Sequence, residues 1–276
     1  YHRSGLYPLP LPSGLGMEAT GVVEATGDGV TGFSAGQRVA YASPPIGAYA
    51  TVRNYPAERL LHIPPHLEDE SVAASLLKGL TAWYLLCRTY PVERRTRLVI
   101  YAAAGGVGQI MARWARHLGA EVIGIVGSEE KREIALWAGC EEVFLLDEDY
   151  VAALRARGGA QVVYDSLGAV SFLRSLDCLQ PRGLMVSFGN ASGPVPPFDP
   201  RLLADKGSLF FTRPTLMDYT ATHEELTRGW EALSELMLEG IVRVEPGRRF
   251  ALDDVVAAHQ ALESRQTTGA SVLLPK

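Results

Sequence analysis

The chain has 276 residues, 47% of them hydrophobic and 21% charged, which is the composition of one large or two modest globular domains. A formal net charge of −5, with Lys and Arg scattered along the chain, argues against nucleic acid or an anionic membrane as partner, and no apolar run approaches the length of a membrane span. The cysteines Cys87, Cys140 and Cys178 lie far apart, which suggests neither a disulfide framework nor a zinc knuckle and suits a reducing cytoplasm.

Residues 1–12 carry three prolines and no apolar core, so they are not a signal peptide. An opening on Tyr1 points to a fragment that begins inside a domain. Residues 21–27 and 48–52 read as short strands and 36–41 as a turn entering another, punctuated by Gly and Pro, a pattern of a small β-rich barrel or folded sheet. From residue 71 to 90 helix formers take over, with Val72, Leu76, Leu80 and Trp83 on one face. Strands at 97–102, 121–126, 142–146, 161–165 and 184–188 then alternate with helices at 106–118, 129–138, 150–157 and 171–179. Continuous apolar strands alternating with helices predict an α/β fold, a doubly wound parallel sheet covered on both faces. A further strand is expected at 208–213, a long amphipathic helix at 223–239, and a strand, a helix and a last strand (270–274) in the tail, which is expected to rejoin the first domain.

The strand Leu98-Val99-Ile100-Tyr101-Ala102 runs straight into Ala103-Ala104-Gly105-Gly106-Val107-Gly108, and a helix and a second strand follow. That is the βαβ setting a dinucleotide fingerprint needs. Gly105 lets the backbone approach a pyrophosphate, Gly108 lets the helix pack on the strand, and the helix N-terminus offers free N–H groups to phosphate. Ala103 replaces the first glycine of the usual pattern. At the end of the second strand, where an acid would hold the ribose 2′-hydroxyl of NAD, stand Val126-Gly127-Ser128. With Lys131 and Arg132 one turn further on, the site suits the 2′-phosphate of NADPH. The bland alternative is that both cations are solvated and paired with Glu129 or Glu130.

The strings Gly105-Gly106-Val107-Gly108, Lys78-Gly79-Leu80-Thr81, Val163-Tyr164-Asp165-Ser166-Leu167-Gly168 and Arg182-Gly183-Leu184-Met185-Val186-Ser187-Phe188-Gly189-Asn190 resemble quinone oxidoreductases of the zeta-crystallin type, in the medium-chain dehydrogenase/reductase superfamily. Arg3-Ser4-Gly5-Leu6-Tyr7 and Leu262-Glu263-Ser264-Arg265 fit as well. The resemblance implies a Rossmann domain over residues 76–243. It also implies a smaller GroES-like substrate domain built from 1–75 and 244–276, truncated at its N-terminus. It implies that Thr81, Gly168, Phe188, Gly189 and Asn190 surround the nicotinamide and its ribose. Lys131 and Arg265 would contact the adenosine phosphate or pyrophosphate, and Ser128 the 2′-phosphate. Family members often carry a Tyr after the third strand that holds this phosphate; Leu146 stands there instead. A homodimer through the sheet edge at 208–213 is implied too.

Zinc enzymes of the superfamily place a His where this chain has Met17, in Gly16-Met17-Glu18, and a thioether is a poor zinc ligand. His62 and His66 are separated by Pro64 and Pro65 and read as loop residues. No metal is expected. Without a Lewis acid, an electron-poor acceptor such as a quinone or an enone is the natural substrate. Tyr7 and Tyr1 are the candidates to polarise its oxygen, both facing the cleft by resemblance, with a packing or cofactor-contact role as the alternative. Two further readings are a reductase of enals or 2-enoyl thioesters, and a non-catalytic NADPH-binding protein with a structural or RNA-binding role.

Overall fold

The computed structural model describes residues 2, 3, 5, 7–264 and 269–275. Two compact units emerge, Tyr1–Lys78 with Thr220–Lys276, and Gly79–Tyr219. In the first unit, β1 (Glu18–Val22), β2 (Arg38–Ala42) and β3 (Leu61–His62) form an antiparallel sheet in that order. The strand expected at 21–27 starts earlier and stops at Val22. Its ladder runs out where β2 begins, and Val23 closes it by donating to Gln37 O and accepting from Gly36 N. The strand expected at 48–52 does not form. Ala48 N and Tyr49 N donate to Gly16 O and Leu15 O, at 3.2 and 3.0 Å, and Ala50 N turns back to Ala48 O. Its alternation carried no buried face, since Tyr49 is 38% and Val52 67% exposed. His62 sits in β3 and not in a loop, with its ring stacked on Phe33.

The long helix expected at 71–90 is α1 (Asp69–Tyr84) followed by one π-turn, Leu85–Thr89. The division between the units falls inside α1, after Lys78.

The second unit holds β4 (Arg97–Tyr101), α2 (Gly106–His117), β5 (Glu121–Val126), α3 (Glu129–Trp137), β6 (Glu142–Leu145), α4 (Tyr150–Ala156), β7 (Ala160–Asp165), α5 (Phe172–Asp177), β8 (Leu179–Ser187), α6 (Arg201–Asp205), β9 (Phe210–Thr212) and α7 (Leu216–Tyr219). Its six described strands are all parallel in the order β6-β5-β4-β7-β8-β9. Leu98 and Ile100 are as fully buried as Val99 and Tyr101, so both faces of β4 are covered, which is why the strand is apolar throughout. Val99, Tyr101, Ile123, Val163 and Met185 share one core with Tyr150, Leu154, Phe172 and Leu176. The chain order reverses between β4 and β7. Open α/β sheets place their ligands at such a reversal, outside the carboxyl ends of the strands.

The chain then returns to the first unit as α8 (His223–Leu238), β10 (Pro246–Ala251), α9 (Val255–Glu263) and β11 (Ala270–Leu274), with β10 and β11 paired in parallel. The compact unit that begins at Gly79 ends at Tyr219, whereas the Rossmann domain is expected to extend to residue 243. Amphipathicity shows that α8 has an apolar face but not which core receives it. Trp230 on α8 donates its indole N–H to His62 O at 2.8 Å, and Arg59 donates to the carbonyls of Thr220 and Ala221. Thr222 and Glu225 close a capping box at its start. Among the described residues no helix is long and apolar enough to cross a membrane.

Candidate functional site

The glycine turn begins where β4 ends. Ala102 takes a φ of +52°, rare for a residue with a side chain, and reverses the chain. Gly105 N donates to Ala102 O at 2.8 Å and closes the turn. α2 starts at the next residue with Gly105 as its N-cap, so no side chain covers the first-turn amides of Gly106, Val107 and Gly108. A Cβ on Gly108 would lie 2.4 Å from Ala102 O and 2.8 Å from Ala103 Cα, so only a hydrogen fits there. The departure at Ala103 is accommodated on the neighbouring strand: a Cβ on Gly124 would come within 3.0 Å of the Ala103 methyl, and glycine leaves that space open. Gln109 Nε2 donates to Ala104 O at 2.8 Å and braces the loop.

After β5 the chain reaches Ser128, the extended N-cap of α3, whose hydroxyl makes no capping bond. The two cations that follow have different fates. Arg132 is bound to Glu129 and Glu148, each at 2.7 Å, and also donates to Val143 O. The Leu145 N–H and the Arg132 guanidinium together hold the Glu148 carboxyl below the usual carboxylate range. Arg132 is thus neutralised within the fold. Lys131 is exposed and forms no ion pair among the described residues. Leu146, after β6, packs against the core, and its carbonyl accepts from Arg174. Arg174 also donates to Glu148 O and lies 3.8 Å over the Tyr150 ring, so an arginine from α5 clamps this loop.

The ends of β7 and β8 are tied to each other. Phe188 N donates to Asp165 O at 2.9 Å, Ala191 N to Ser166 O at 3.1 Å, and Ser192 N to Leu167 O at 2.8 Å. Gly168 has a φ of +90°, and a Cβ on it would lie 2.3 Å from Gly193 O. The structure therefore sets Ala104, Gly105, Gly106, Val107 and Gly108 after β4, Ser128 and Lys131 after β5, Gly168 after β7, and Phe188, Gly189 and Asn190 after β8. These strands are neighbours in one sheet, and all of these residues follow their carboxyl ends. Free first-turn amides, a turn that packs closely on β4 only because Gly108 has no Cβ, and a lysine without an ion pair fit a phosphate-bearing dinucleotide.

The comparisons agree with this geometry. The family model for the alcohol dehydrogenase GroES-like domain matches residues 1–65, and that for zinc-binding dehydrogenases matches residues 106–237. Quinone oxidoreductase 1 of Escherichia coli is 47% identical over 282 residues, covering 100% of this chain and 86% of the relative. The chain belongs to the quinone oxidoreductase family of the medium-chain dehydrogenase/reductase superfamily. The crystal structure of the E. coli quinone oxidoreductase complexed with NADPH superposes with a TM-score of 0.96 at 47% identity, over 100% of this chain and 86% of that one. A 2-haloacrylate reductase from Burkholderia is 43% identical over 290 residues, with coverage of 100% and 86%.

The remaining residues expected in a quinone oxidoreductase site are placed separately. Thr81 is half-buried on α1, within the second unit. Tyr7 belongs to the first unit, is 42% exposed and meets the His2 ring edge-on at 6.0 Å. Tyr1 and Arg265 lie outside the described residues. Although one matching model describes zinc binding, no group of three or more His, Cys, Asp or Glu is placed to hold a metal among the described residues. Burial pushes the thiols of Cys140 and Cys178 up to about 12 and that of Cys87 up to about 11, so none supplies a thiolate near neutral pH. Asp165 and Arg174 went unrecognised in the sequence. The available signals were an acid closing the mostly apolar strand β7 and the serine pair Ser171 and Ser175, one helical turn apart.

Proposed function

We propose that the chain binds NADPH along the carboxyl edge of the six-stranded sheet and reduces quinones by hydride transfer without a metal. The observation that carries this is the uncapped glycine turn, which fits a pyrophosphate, in a chain similar over its full length to a quinone oxidoreductase solved with NADPH. The amides of Ala104 to Gly108 would take the pyrophosphate, and Ser128 and Lys131 the 2′-phosphate, with Arg265 as a further phosphate contact. Thr81, Gly168, Phe188, Gly189 and Asn190 would shape the nicotinamide end and exclude water from it. The cofactor supplies a hydride from C4 of its nicotinamide when bound. Tyr7, with Tyr1 as the second candidate, would donate a hydrogen bond or proton to the acceptor oxygen.

Since Arg132 is spent on Glu129 and Glu148, the NADPH preference rests on Lys131 together with Ser128. Lys131→Ala raises KM for NADPH about 10-fold, the worth of one charge-assisted hydrogen bond, and leaves KM for NADH unchanged. Equal effects on both cofactors would remove Lys131 from the 2′-phosphate. Tyr7→Phe lowers kcat about 10-fold or more with NADPH affinity unchanged; unaltered turnover would reject its catalytic role.

The similarity to a 2-haloacrylate reductase favours a second class of acceptor, the activated alkene. Turnover measured in parallel with a benzoquinone, 2-chloroacrylate and an enoyl thioester, each at saturating NADPH, decides the class. Highest kcat/KM with the quinone is the expected result.

Association into a homodimer accords with an edge strand β9 whose Phe210 is 62% exposed. Phe210→Asp then shifts the mass measured by light scattering from dimer to monomer. An unshifted mass removes residues 208–213 from the interface.

A further inference from the structure

We infer that Asp165 is a positioning residue that sets the nicotinamide end of the cofactor site more strongly than the adenosine end. The inference rests on the NADPH reading above. Asp165 closes β7 and is completely buried. Among the described residues no cation pairs with it. Its Oδ1 accepts from Leu167 N at 2.7 Å and Gly168 N at 3.0 Å, and its Oδ2 accepts from the Ser171 and Ser175 hydroxyls, each at 2.7 Å. Burying an unpaired carboxylate is costly, and an apolar residue would serve the sheet as well, as Val162 and Val163 do on the same strand. The four donors offset that cost, and their placement shows what the carboxylate achieves.

The turn that ends at the left-handed Gly168 points two consecutive amides, at residues 167 and 168, at the Asp165 carboxylate. Without an acceptor the buried Gly168 amide would be an orphan and the half-buried Leu167 amide would have to turn to water. Asp165 satisfies both. The carbonyls of the same loop then hold the next one: Ser166 O accepts from Ala191 N, Leu167 O from Ser192 N, and Asp165 O from Phe188 N. One carboxylate thus fixes the loop after β7, the start of α5 and, through the loop, residues 188–193. Among the described residues Asp165 accepts no hydrogen bond from the loops after β5 or β6 that carry Ser128, Lys131 and Leu146, and its one link to them is indirect, through Arg174 of α5, which donates to Leu146 O and Glu148 O.

The test separates the two ends with two ligands. NADPH uses both, whereas adenosine 2′,5′-bisphosphate uses only the adenosine end. Affinities of both are measured by calorimetry on Asp165→Asn and on the double variant Ser171→Ala/Ser175→Ala. Asp165→Asn keeps an acceptor for the two amides but weakens it. The double variant keeps the charge and removes half of its donors. In each, the Kd for NADPH rises about 5- to 10-fold while that for the bisphosphate stays within about twofold. Amide exchange at Leu167 and Gly168 speeds up, with β4 and β5 amides unchanged. Wild-type affinity for NADPH in both variants, equal losses for both ligands, or loss of the fold in both variants overturns the proposal, the last by reducing Asp165 to a core residue. A wild-type protein that binds neither ligand overturns the NADPH reading itself and the proposal with it.

Discussion

Gly108→Ala raises the dissociation constant for NADPH about 100-fold while the chain remains folded. The added Cβ would sit 2.4 Å from Ala102 O and 2.8 Å from Ala103 Cα, and both are backbone atoms of a turn already held by the Gly105 N to Ala102 O bond. Neither can swing aside as a side-chain tip would. α2 must move off β4, and its first-turn amides move with it. Overpacking of this kind costs about 1–3 kcal/mol, and the upper end corresponds to the loss stated. Because the displaced amides are the ones offered to the pyrophosphate, the cost falls on binding more than on global stability. Titration of NADPH fluorescence measures the first, and a thermal melt without cofactor measures the second. Near wild-type binding would show that the pyrophosphate does not use this turn.

Gly168→Ala has the opposite signature. Two separate faults meet at this position, a φ of +90° that L-residues avoid and a Cβ 2.3 Å from Gly193 O. Their sum, about 3 kcal/mol, lowers the melting temperature by about 6–12 °C for a chain of this size. The melt without NADPH registers the drop, since the fault is in the loop whether or not cofactor is bound. An unchanged melting temperature would mean that the loops after β7 and β8 yield freely, contrary to the hydrogen bonds between them.

What the sequence revealed depended on whether the determining contacts were local. β5 was legible to the residue because an apolar run buried on both faces has sharp ends, and α2 starts where Gly105 and Gly106 place it. The segment at 48–52 alternates like a strand, but its amides are claimed by Gly16 and Leu15, more than thirty residues earlier, and alternation does not encode that. α8 was recognisable as an amphipathic helix; its membership of the first unit depends on Trp230 meeting His62, which are 168 positions apart. In the site, Gly105 and Gly108 were visible from their spacing, while the roles of Ser128, Gly168 and Gly189 came only from the family resemblance. The pairing of Arg132 with Glu129 was one of the two readings open in the sequence; its second partner, Glu148, lies 16 residues away on the far side of β6 and was not legible. Asp165 was visible only as one letter in a resembling string. Its four donors come together only when the loop after β7 and the start of α5 fold over it.

The most direct test of the account is stopped-flow oxidation of NADPH and NADH by the protein with a benzoquinone. Quinone-dependent oxidation of NADPH, with kcat/KM at least about 10-fold above that for NADH and lost in Gly108→Ala, is the predicted result. Saturable NADPH binding without oxidation by the quinone, or equal rates with the two cofactors, would contradict it.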